Sequence, residues 1–343
     1  MSAPGPLPAG SISDDTLGRA VAQGVLTAEQ VEVLRYLERT RTAQPPTESA
    51  DDEKFRFING FSDIFVTIGL GLFLGALAYF SGDLVGSVGT GIVVAVASWL
   101  LAEYFTGRSR MALPSIVLLL VYAAAVFFAV AGESYSGWPA FVAGLVTAAA
   151  TAIHYWRFRV PITIAAGVAA LVAALVALFF ALAPGLTEQA TMPLLLLCGL
   201  AVFALAMRFD LSDPRRQTRR TDIAFWLHML AAPLIVHPLV SGLIGDGTLD
   251  TASALAVLAI FAGLALVALV ADRRAILVSG LAYAGFAFSA LVVKAGLSDG
   301  VVPLTMLVLG ALVLLLSAGW HVLRRTLLSL LPGGLVHRLP PHT

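Results

Sequence analysis

Apolar stretches close to 20 residues long recur along this chain from about residue 64 to about residue 323, and that is the length an α-helix needs to cross the hydrocarbon core of a bilayer. Lipid offers backbone amides no hydrogen-bond partner, so each such stretch must pair its own N–H and C=O groups, which a helix does. The expected fold class is therefore all-α, a polytopic bundle of transmembrane helices. Spans are expected near 64–82, 86–105, 112–132, 138–156, 160–183, 190–208, 222–244, 252–271, 275–296 and 301–323, about ten in all.

Composition agrees, because 59% of the 343 residues are hydrophobic and 12% are charged, against roughly a quarter charged in a soluble domain. With 21 basic and 21 acidic residues the formal charge is zero, which leaves no global field to attract nucleic acid. The charges are informative only by position. If the N-terminus is cytoplasmic, the inner side collects Arg19, Arg35, Arg39, Arg41, Lys54 and Arg56, then Arg108 and Arg110, then Arg157 and Arg159. The same side gathers Arg208, Arg215, Arg216, Arg219, Arg220, Arg273, Arg274, Arg324, Arg325 and Arg338. Only Lys294 falls on the other side, beside Asp83, Glu133, Glu188, Asp246, Asp250 and Asp299. Cytoplasmic loops carry the Lys and Arg excess in membrane proteins, so both termini are expected inside. Trp99, Trp138, Trp156, Trp226 and Trp320 all fall near expected span ends, where amphipathic rings favour the interface.

The expected domains are a cytoplasmic helical hairpin over 1–41, a tether over 42–62, the transmembrane domain over 63–323 and an amphipathic cytoplasmic tail over 324–343. In the hairpin, Gly24 stops the first helix, and Thr27 with Gln30 forms a capping-box pattern that opens the second. Val31, Leu34 and Leu37 share one side of that helix, too little apolar surface to hold a core alone. The N-terminus lacks the pattern of a removable secretory signal, so the first span is expected to target the chain.

No phosphate-binding loop, zincin, nucleophile-elbow or cysteine–histidine signature occurs. No metal site and no cofactor is expected, and the balance leans away from an enzyme. The one cysteine, Cys198, lies in an apolar span and reads as a small hydrophobe. Gly69, Gly71 and Gly75 lie inside the first span, where Gly71-x-x-x-Gly75 reads as a close helix-packing face. Ser62-Asp63-Ile64 and Thr221-Asp222-Ile223 each open a span, which good helix N-caps explain without a repeat. The loop 208–222 holds the densest basic cluster and reads as a topological anchor; its Asp210 and Asp213 are not read as metal ligands.

The seventh span, TDIAFWLHMLAAPLIVHPLVSG, combines an acid, two histidines, a tryptophan and two prolines. At about 100° per residue, Asp222, Trp226, Pro233 and His237 share one face and His228 points the opposite way. Asp222, Trp226, His228 and His237 form the candidate polar pathway, together with Lys294 on the ninth span, which aligns with Ser279 and Tyr283. Ionisable groups at membrane depth usually face protein or a water-filled cavity. The plainer expectation is that both histidines bond carbonyls freed by Pro233 and Pro238, and that Lys294 reaches out to the interface near Asp299. Glu103 and His154, at span ends, are expected to need only solvent.

The run Gly24-Val-Leu-Thr-Ala-Glu-Gln30, a short helix, a tether and a string of apolar spans resemble uncharacterised bacterial families of polytopic membrane proteins, a domain of unknown function with an N-terminal cytoplasmic helical segment. That resemblance implies a bacterial inner membrane and brings no activity or site residues. The leading functional expectation is a transporter-like or channel-like protein for a small solute or protons. The alternative is a non-catalytic scaffold or regulator whose hairpin recruits a protein partner or a second copy; a lipid-acting enzyme comes third. The bilayer is the one partner all three share.

Overall fold

The computed structural model describes residues 14–34, 61–183, 185, 188–213, 218–244 and 249–329. Most of the expected tether and the part of the tail beyond 329 lie outside these residues. Two compact units result, a small one holding 14–34 and a large one holding 61–329.

In the small unit α1, Asp14–Ala22, ends at Gly24, whose φ of 69° is open to a residue without a Cβ. The Val25 amide then reaches Ala20 O at 2.9 Å and the Gly24 amide reaches Val21 O at 3.0 Å, the paired bonds of a Schellman stop. The capping box at the start of α2, residues 28–34, is formed in both directions. Thr27 N donates to Gln30 Oε1 at 2.9 Å and Gln30 N donates to Thr27 Oγ1 at 3.2 Å. Leu17 and Val31 are buried, while Val25 and Val33 are exposed.

The large unit is built from α3 Phe61–Ala102, α4 Ala112–Ala131, α5 Gly137–Phe158, α6 Ile162–Leu182, α7 Glu188–Ser212, α8 Arg219–Ile244, α9 Thr251–Ala271, α10 Ala275–Lys294 and α11 Val301–Ser329. Among the described residues, these nine helices are long and apolar enough to cross a membrane. The first is not straight. Gly86 takes φ 69° and ψ −177°, and the chain doubles back there: Leu70 and Leu74 share one apolar cluster with Ala102, and Ala78 packs with Val94 and Ala95. A straight helix would hold Leu70 and Ala102 about 48 Å apart. The nine helices therefore supply ten helical arms, which match the ten expected stretches. A π-helical turn, Glu103–Arg108, follows the second arm.

Neighbouring helices pair as antiparallel hairpins, most extensively α3 with α4, α5 with α6, α7 with α8 and α9 with α10. Their close approaches fall at glycines. A side-chain carbon at Gly91 would lie 2.7 Å from Ala129 N on α4, one at Gly144 would lie 2.7 Å from Ala174 Cβ on α6, and one at Gly199 would lie 2.8 Å from Ile235 on α8. Among the described residues nothing packs on the close-packing face expected at Gly71 and Gly75. Both are exposed, as is Gly69, with nothing within 4 Å of an added carbon. The glycine spacing was read correctly as helical, but spacing does not say which side of the helix meets a neighbour. The last helix, α11, runs from Val301 to Ser329 and so includes Arg324 and Arg325.

Candidate functional site

α7 ends, α8 begins, α9 ends, α10 begins and α11 finishes at one end of the bundle, and six ionisable side chains, Asp210, Asp213, His228, Asp272, Arg273 and Arg324, are buried there. Asp210 in the last turn of α7 is 5% exposed, His228 on α8 is 0%, and Arg273 in the α9–α10 turn is 1%. His228 Nε2 lies 2.8 Å from Asp210 Oδ2. Arg273 grips the same carboxylate with its fork, Nε at 3.2 Å from Oδ2 and Nη2 on Oδ1. A bidentate guanidinium is the geometry that holds a carboxylate in its ionised form.

The residue before Arg273 carries the second half of the network. Asp272 turns the chain out of α9 at φ 54°, and its Oδ1 accepts the Trp320 indole N–H at 2.8 Å. Arg324, one turn further along α11, lies 3.6 Å from the same oxygen and donates from Nε to Leu269 O at 3.2 Å. Trp320, Arg324 and Leu328 are spaced four apart, so one stripe of α11 is buried. Arg274 lies over the Trp320 ring, 5.0 Å from its centroid. Two acids and two arginines thus neutralise each other in pairs inside an apolar bundle, the arrangement that makes such burial tolerable.

Against this network the sequence-derived candidates separate. Asp222, Trp226 and His237 do share a side of α8, as helical phase requires, but Asp222 and His237 are exposed and Trp226 is half-buried. His237 Nδ1 meets Tyr283 Oη on α10 at 2.7 Å. His228, on the opposite side, is the buried one. Neither histidine has its partner among the carbonyls freed by Pro233 and Pro238, and α8 is continuous through both prolines. Lys294 is exposed, and its charge acts on Asp250 at the start of α9. Arg273 reaches electrostatically toward Asp222 as well, so one of the expected residues borders the network.

Sequence reasoning missed Arg273, Asp272, Trp320 and Arg324 as site residues, because Arg273 and Arg324 read as inner-side charges, Trp320 as an interfacial ring, and Asp272 was not singled out. Asp210 carried a usable signal: it is an acid in the final turn of an apolar span. Two other expectations change. His154 is 1% exposed rather than solvated, enclosed by Trp99, Tyr122 and Phe158 at centroid distances of 5.7, 5.7 and 4.6 Å. Glu103 is not left to solvent either, since it pairs with Arg157 through two bonds of 3.1 and 2.5 Å. Among the described residues no group of three His, Cys, Asp or Glu side chains could hold a metal ion.

Fold and site together define a polytopic α-helical protein, suited by length and composition to a membrane, with a paired charge network buried at one end of its C-terminal helices. Compared with family models, curated proteins and solved structures, the chain gives no match.

Proposed function

We propose that this is a bacterial inner-membrane protein that crosses the bilayer ten times with both termini in the cytoplasm, and that it acts as a transporter or channel for protons or a small solute. The observation that carries this reading is the Asp210–His228–Arg273 cluster, because ionisable groups held at depth in an apolar bundle are costly and usually mark an ion or substrate pathway. His228 lies about 14 Å along α8 from Arg219, at the level of the last turn of α7 and the α9–α10 turn. Nine apolar helices and the reversal at Gly86 support ten crossings, and the inward bias of Arg and Lys supports the orientation. In this reading the ionisable centre is at His228, not at His237.

The full chain in liposomes, with a pH-sensitive dye trapped inside, tests it. Wild type should collapse an imposed pH gradient faster than empty vesicles, or pass glycerol faster in a swelling assay. Asp210→Asn should lose that increment and His237→Ala should keep it. Wild-type vesicles that match empty ones in both assays would overturn the reading.

A second reading, a scaffold whose hairpin recruits a protein partner, is favoured by exposed Val25 and Val33 on a unit whose core is Leu17 and Val31. Crosslinking with and without residues 1–50 tests it; unchanged crosslinks would count against it.

A further inference from the structure

His228 has two ring nitrogens in very different positions. Nε2 faces the Asp210 carboxylate, which also receives both arms of Arg273. A carboxylate that meets only N–H groups is ionised and accepts from all of them, so the His228 proton sits on Nε2. Nδ1 then carries a lone pair. It is buried and has no hydrogen-bond partner among the described residues, and the ring makes a T-shaped contact with Phe203, 5.3 Å away between centroids.

The charged groups in the cluster at this ring come from two elements, Asp210 on α7 and Arg273 in the α9–α10 turn; Asp222, on the same helix as His228, lies on the other side of α8. Arg273 neutralises Asp210 in the resting state and feels Asp222 at the same time. Among the described residues no arginine or lysine other than Arg273 bonds Asp210. An imidazolium at His228 would therefore share the Asp210 carboxylate with Arg273, and the two cations would repel each other across it.

We propose that Nδ1 of His228 is the binding site for a coupling proton, and that its occupation loosens Arg273 from Asp210. The inference rests on the transport reading above and names the species that drives it. One N–H bond forms at Nδ1 and none breaks; the added charge is held by Asp210 through the existing Nε2–H bond. The consequence is mechanical, because Asp210 belongs to the α7–α8 hairpin and Arg273 to the α9–α10 hairpin. A proton at His228 trades the bond between the hairpins for one within the first, and so couples protonation to their separation.

The test uses the full chain in liposomes with nitrogen-15 histidine, the His228 signals being those lost in His228→Gln. As the pH is lowered, the unprotonated Nδ1 signal should be replaced by that of a protonated nitrogen. Asp210→Asn should move this transition to lower pH, and Arg273→Gln should move it the opposite way, each by about one unit or more. Opposite shifts in two variants cannot come from a general loosening of the fold. An Nδ1 that stays unprotonated throughout, or a transition that neither variant moves, would overturn the proposal. Dye-reported proton entry in the same vesicles separates the two claims. Entry without titration of His228 sinks the proton site and leaves the transport reading, whereas titration without any flux sinks the transport reading alone.

Discussion

The Trp320 indole N–H donates to Asp272 Oδ1 at 2.8 Å, across 48 residues of chain, and fixes α11 to the turn between α9 and α10. Both partners are almost fully buried, so the bond is made where water cannot replace it. Trp320→Phe keeps most of the apolar contact and removes the donor, leaving Asp272 to Arg324. A loss of about 1–3 kcal/mol is expected, read as a lowered midpoint for thermal unfolding in detergent. Removal of Leu315, which is 70% exposed on the same helix, should leave the midpoint unchanged.

Arg273→Met should be the most damaging single change at the site. It leaves Asp210 buried with His228 as its one partner in the cluster, and an uncompensated buried charge costs about 3–5 kcal/mol. Asp210→Asn in the same chain should recover part of that loss. Additive effects in the double-mutant cycle would mean that the two side chains are not coupled.

Gly91 and Gly71 provide a matched pair on the two arms of α3. Valine at Gly91 meets the Ala129 backbone at under 3 Å and must push α4 away, at a cost of about 1–3 kcal/mol. Valine at Gly71 meets open space and should be tolerated. Equal loss of monodisperse protein for both variants would show that the Gly71 face is also covered in the membrane.

Glu103 and Arg157 make two good bonds, yet their side chains are 34% and 51% exposed. Exposed pairs contribute about 1 kcal/mol or less. Glu103→Gln should therefore move the unfolding midpoint very little, with the remaining difference shrinking as salt is added.

Asp250 caps α9 through the Ser253 amide at 2.9 Å, and hydrogen bonding from Ser253, with a smaller contribution from Lys294, holds its carboxyl below the usual range. A carboxylate lowered in the folded state contributes stability above its unfolded value and loses it as pH falls through the folded one. Amide exchange at Ser253 should stay slow down to about pH 4 and quicken below it. Asn at position 250 should flatten that pH dependence and still cap the helix.

The sequence by itself determined the helices. Apolar runs of bilayer length, the N-cap at Thr27, the stop at Gly24 and the ten separate stretches all depend on local backbone chemistry and short-range periodicity, which a single chain displays directly. The reversal at Gly86 was legible for the same reason, as a gap between two apolar runs. Helical phase likewise put His228 opposite Asp222 and His237. Only the tertiary structure decided which of those two sides faced the interior, because burial depends on a neighbouring helix that phase cannot locate. It also turned Arg273 and Arg324 from loop charges into buried partners of Asp210 and Asp272. Those pairs join residues 63 and 52 positions apart, and nothing in the local sequence of either partner requires the other until packing of the α7–α8 hairpin and of α11 against the α9–α10 turn excludes the water that would otherwise solvate them.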